Sequence, residues 1–101
     1  MKKMLGMVIL SVVTGAALAD QALATSKNCL ACHAVDRKMV GPAFKDIAAK
    51  YKGDKTAADR LAIKIVKGGG GVWGPVPMPA NPQVTEAEAR RLAAWVLTLQ
   101  K

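Results

Sequence analysis

Both cysteines of the chain and its only histidine fall in one short run, Cys29-Leu30-Ala31-Cys32-His33. The C-x-x-C-H spacing is the attachment signature for c-type haem. Two thiols one helical turn apart can each add to a vinyl group of the same porphyrin. The histidine that follows can then reach the iron from one face as the proximal ligand. Competing chemistries fit less well. An exported chain with two cysteines could close a single disulfide. A thioredoxin-like redox pair expects a βαβ pattern, and strand signals are nearly absent here. A structural zinc site needs a fourth ligand, and the chain has no further cysteine or histidine to supply one.

The chain has 101 residues, enough for one domain. Its start reads as a secretory signal peptide. Lys2 and Lys3 give a positive beginning, Met4 to Leu18 is apolar apart from Ser11 and Thr14, and Ala17-Leu18-Ala19 is a small-x-small cleavage site. The apolar run falls short of the ~20 residues a spanning helix needs, which argues against a membrane anchor. Cleavage at the second such site, Ala22-Leu23-Ala24, would remove most of a first helix. The expected division is therefore a leader over 1–19 and a domain over 20–101, delivered to the bacterial periplasm.

So small a domain has difficulty stabilising itself on side chains alone. Its aromatic residues are only Phe44, Tyr51, Trp73 and Trp95. Something else apolar is expected inside. The net charge of +8 suits an acidic partner, a membrane surface or nucleic acid, and export argues against nucleic acid.

Helical periodicity is clear in three places. Phe44, Ile47, Ala48 and Tyr51 share one face. Thr56-Ala57-Ala58-Asp59 resembles a capping box and opens a helix ending at Lys67, with Leu61, Ile65, Ala58 and Ala62 on one face. Thr85-Glu86-Ala87-Glu88 opens a C-terminal helix with a stripe of Ala89, Leu92, Ala93, Val96 and Leu99, and with Trp95 beside it. A first helix is expected over about Gln21 to Cys32. Gly68 to Val84 is a long loop stiffened by Pro75, Pro77, Pro79 and Pro82.

A haem in an electron carrier is bound on both faces, and no second histidine exists. Met78 sits in Pro77-Met78-Pro79, inside the stiff loop and far along the chain from His33. Met39 lies only six residues after His33, before Gly41-Pro42, and suits the shaping of the proximal side. Met78 is the expected distal ligand. Histidine–methionine ligation raises the potential and leaves no open coordination position, which describes a carrier and not an enzyme.

The whole domain resembles the short class I bacterial cytochromes c of the c-551/c-552 type. The matching stretches are Cys29 to His33, Met39-Val40-Gly41-Pro42-Ala43, Gly71 to Pro79 and Trp95-Val96-Leu97. The resemblance implies an all-α fold of four short helices around one covalent haem, with the N- and C-terminal helices packed together. It implies that the Pro42 carbonyl accepts from the His33 ring, that Trp73 donates to a haem propionate, that Asn81 bonds the methionine sulfur, and that Lys64 lies near a propionate. Partners implied are a cytochrome bc-type complex upstream and a nitrite reductase, oxidase or peroxidase downstream, with acidic docking surfaces. A monomer with no stable membrane insertion is expected. Ala80 and the run Gly68 to Gly71 depart from the family pattern. The alternatives are an open-site haem protein, such as a gas sensor or peroxidase-like enzyme, and a haem-free thiol–disulfide protein.

Overall fold

The computed structural model describes residues 11–99, with side chains from Leu18 onward. Lys2, Lys3 and the first apolar residues of the expected leader lie outside the described residues. Among the described residues no helix is long and apolar enough to cross a membrane.

Helix α1 spans Ser11–Ser26 and stops short of the cysteine motif, where the sequence suggested one helix through Cys32. The reason is local. Thr25 Oγ1 and Ser26 Oγ donate to the Gln21 and Leu23 carbonyls at 3.1 and 2.9 Å. Asn28 then takes a left-handed conformation with φ 68°, which asparagine tolerates and a helix does not. The motif itself forms a separate 3₁₀ turn, Cys29–Ala31, in which the Cys32 and His33 amides both bond the Cys29 carbonyl.

Helix α2, Phe44–Lys50, buries Phe44 and Ala48, as its periodicity requires. Helix α3 spans Ala57–Lys67. Its start is not the capping box the sequence suggested. Thr56 has helical backbone angles and cannot cap; instead Asp54 Oδ1 accepts from both the amide and the hydroxyl of Thr56. Asp54 also pairs with Arg60. Gly68 ends α3 with φ +77°, a conformation that glycine adopts freely. Helix α4, Glu86–Leu97, does begin with a capping box: Glu88 N–H donates to Thr85 Oγ1, and Thr85 N–H donates to Glu88 Oε1.

The four helices enclose one core centred on α4. Ala24 of α1, Phe44 of α2 and Ala62 of α3 meet Ala89, Leu92, Ala93, Trp95 and Val96. Trp95, expected beside the α4 stripe, is only 6% exposed and belongs to it. Alanine at the crossing points lets the backbones approach closely. Two surface ion pairs, Asp20–Arg91 and Lys27–Glu88, join α1 to α4. Between α3 and α4 the Gly/Pro loop closes on itself through one antiparallel bridge, Gly69 to Met78.

Candidate haem site

A cavity of about 450 Å³ opens in the middle of this core. Its size is that of a site for a substantial ligand. Cys29, Cys32 and His33 border it from the 3₁₀ turn and the two residues after it, Phe44 and Ile47 from α2, Leu61, Lys64 and Ile65 from α3, and Leu92, Ala93, Trp95 and Val96 from α4. The Gly/Pro loop completes the wall with Trp73, Val76 and Met78. Most of these side chains are apolar.

His33 is the one buried polar or charged side chain among the described residues, and its ring is fixed from three directions. Nδ1 lies 2.7 Å from the Pro42 carbonyl oxygen. A carbonyl can only accept, so Nδ1 carries the proton. The neutral ring then keeps its free lone pair on Nε2, the state a metal ligand needs. Phe44 stacks on the imidazole with centroids 4.9 Å apart, and Trp95 meets Phe44 edge-on. Gly41 covers the ring: a Cβ there would fall 2.6 Å from His33 Cε1. Its amide donates to the Cys32 carbonyl at 2.8 Å, which ties the Gly41-Pro42 segment directly to the motif.

Cys29 and Cys32 are free, and both border the cavity. Burial pushes the Cys29 thiol above its ordinary range, although a backbone hydrogen bond works the other way. A thiol raised in this way is a poor nucleophile at neutral pH, opposite to the lowered thiol of an exchange enzyme. No cluster of metal-ligating side chains that would suit zinc occurs among the described residues.

Met78 is set by the loop. Its amide donates to the Gly69 carbonyl at 2.7 Å and its carbonyl accepts from Gly69 N–H at 3.0 Å. The close approach explains the first glycine of the run: a Cβ on Gly68 would meet the Met78 carbonyl oxygen at 2.6 Å. Lys64 lies along Gly69 at the cavity edge. Trp73 borders the cavity while remaining 42% exposed, and its indole N–H has no hydrogen-bond partner among the described residues. The ammonium of Lys50 stands 5.7 Å from the Trp73 ring centroid and 5.8 Å from that of Tyr51.

Asn81 does not border the cavity, and its amide makes no bond to Met78 sulfur. Its Nδ2 donates to the Ile65 carbonyl at 2.8 Å, and its backbone N–H to the Val66 carbonyl at 3.1 Å. With its side chain turned to the end of α3, Asn81 pins the loop and leaves the sulfur alone. The contacts of Gly41, Phe44 and Lys50 were not read from the sequence. The Gly41-Pro42 dipeptide was the one available signal for the first.

The donor set fits an iron porphyrin. Two thiols, a lone pair on His33 Nε2 and a thioether border one apolar cavity, with an ammonium and an unpaired indole N–H at its edge. The cytochrome c family model matches residues 13–100. Cytochrome c-552 of Nitrosomonas europaea is 56% identical over 88 residues, covering 87% of this chain and 85% of that protein. Cytochrome c-552 of Hydrogenobacter thermophilus is 52% identical over 100 residues, covering 99% of this chain and all of that protein. The crystal structure of the Nitrosomonas europaea protein superposes with a TM-score of 0.78 at 55% identity, over 79% of this chain and 99% of that one.

Proposed function

The chain belongs to the cytochrome c family, and on that premise we propose that it shuttles single electrons in the periplasm with its haem iron held between His33 and Met78. It is a monohaem class I c-type cytochrome, an electron carrier and not an enzyme. The ligand assignment rests on one observation: a single cavity collects both cysteines, the tautomer-fixed His33 and Met78.

The haem, when bound, supplies an iron that alternates between ferric and ferrous states. Cys29 and Cys32, free thiols that border the cavity, would hold the porphyrin by thioether bonds. The Pro42 carbonyl keeps the proton on Nδ1, fixes the ring plane and makes Nε2 a better donor. The Met78 thioether favours the reduced state and raises the potential. With His33 and Met78 both holding the iron, the site would leave no place for oxygen, peroxide or substrate. Ile47, Leu61, Ile65 and Leu92 keep water from the cavity. Trp73 and Lys64 offer an indole N–H and an ammonium to the propionates.

Electrons leave through the cavity mouth. Val40, Val72 and Val76 border it and are about half exposed or more, an apolar rim suited to brief docking. Lys38 and Lys64 add positive charge there. Acidic redox proteins fit this surface, with a cytochrome bc-type complex as donor and a nitrite reductase, oxidase or peroxidase as acceptor. The protein works as a monomer, with residues 1–19 acting as an export leader that is removed.

Protein purified from periplasm tests the assignment. Its mass should exceed that of residues 20–101 by one haem, and its ferric spectrum should show the weak far-red band of methionine ligation. A five-coordinate ferric spectrum would make it an open-site haem protein. Unmodified mass with both thiols free would make it a thiol–disulfide protein. Electron transfer with an acidic partner should slow as salt rises; a salt-independent rate removes the electrostatic docking.

A further inference from the structure

Gln83 joins three elements at the foot of the methionine loop. Its Nε2 donates to the Lys27 carbonyl at 3.2 Å and to Asn81 Oδ1 at 3.1 Å. Lys27 Nζ returns a bond to the Gln83 carbonyl at 3.0 Å and pairs with Glu88 at 3.4 Å. The amide directions follow from chemistry. The Lys27 and Ile65 carbonyls only accept, so the atoms facing them must be nitrogens. Asn81 must therefore present its oxygen to Gln83 and its nitrogen to Ile65.

Met78 is thus held between two anchors on the end of α3. On one side is its own bridge to Gly69. On the other is Asn81, bound to Ile65 and Val66. The second anchor is oriented by Gln83, which in turn leans on Lys27, the residue that follows α1. We propose that Gln83 is a positioning residue for Met78: the relay from Lys27 through Gln83 to Asn81 restrains the loop and so limits how often the sulfur leaves the iron. This inference rests on the Met78 ligand assignment above. Apart from the Lys50 contact with Trp73, no side-chain hydrogen bond joins residues 70–80 to the helices among the described residues.

The test uses the haem-loaded full protein and Gln83→Met, which keeps the side-chain length and removes the amide. Exogenous imidazole binds only where the sulfur has left, so its apparent affinity reads the open fraction. Loss of about one net hydrogen bond should raise that affinity about fivefold. The far-red band should weaken, and the bound methionine methyl resonance should broaden. Asp54→Ala, at the other end of α3, is the stability control. It should lower the denaturation midpoint without changing imidazole affinity. An unchanged affinity and methyl resonance in Gln83→Met overturn the relay while leaving the ligand assignment intact. So does an increase matched by Asp54→Ala. A wild-type spectrum with no methionine ligation overturns both readings.

Discussion

Gly41 and His33 are in direct contact, backbone against imidazole, with no room for a side chain between them. A methyl group on Gly41 would lie 2.6 Å from Cε1 and 3.0 Å from Nδ1. Gly41→Ala should therefore push the ring away from the Pro42 carbonyl. Overpacking of this kind costs about 1–3 kcal/mol. The weakened bond leaves Nε2 a poorer donor, so the reduction potential should rise. Denaturation of the loaded protein and a redox titration check the two parts; a variant with wild-type values in both would remove Gly41 from the site.

Met78→Ala should abolish the far-red ferric band, lower the potential and admit imidazole or cyanide. The fold should persist, since the Gly69 bridge uses only the Met78 backbone. Met39→Ala is the companion variant. Met39 is 41% exposed and does not border the cavity, so the band should survive. Loss of the band in Met39→Ala would reverse the assignment.

Thr85→Ala removes half of the capping box on α4, the helix at the centre of the core. The cost should be about 1 kcal/mol, read as a lower denaturant midpoint with an unchanged slope. The haem spectrum should not change.

The same box predicts acid sensitivity. The Thr85 amide, chiefly, holds Glu88 below the ordinary carboxylate range, with Lys27 assisting. Asp54 is lowered too, first by its bonds from Thr56 and then by Arg60. A lowered folded-state value means stability that is complete above the unfolded value and lost as pH falls through the folded one. Both carboxylates should therefore contribute in full, as ionised groups, above about pH 5 and lose that contribution progressively below about pH 4. Glu88→Gln and Asp54→Asn should flatten the acid limb of stability against pH. An unaltered limb would assign it to other groups.

Lys50 spans the rings of Tyr51 and Trp73 and links α2 to the loop. Lys50→Gln should lower the thermal midpoint by about 2–4 °C, from a cation–π contribution of about 0.5 kcal/mol at an exposed position. An equal midpoint for both proteins would show the contact to be idle.

The parts legible in the sequence are those with strong local chemistry. Thr85 and Glu88 announced α4 because both halves of the box lie within one turn. The face of α2 followed from Phe44, Ile47 and Ala48. Thr56 misled because Asp54, two residues earlier, competes for the same amide, and an aspartate turn outbids a threonine cap. The first helix was placed too far along because its alanines and leucines said nothing of the left-handed Asn28. Asn81 was assigned by likeness to other chains, and its partners are the carbonyls of Ile65 and Val66 at the end of α3 and the nearby Gln83. Gly41 was visible only as half of a Gly-Pro turn, since its contact with His33 depends on how the chain returns over the motif.

The cavity and the core share their walls. Phe44, Leu92, Trp95 and Val96 belong both to the buried cluster and to the cavity lining. Left unfilled, this space of about 450 Å³ would leave those apolar walls facing water and not a packed partner. The polypeptide alone therefore has a thin interior, a cluster made largely of alanines around Phe44, Leu92, Trp95 and Val96. A ring seated there would complete the packing of those four side chains, so the finished interior belongs to the prosthetic group as much as to the amino-acid sequence.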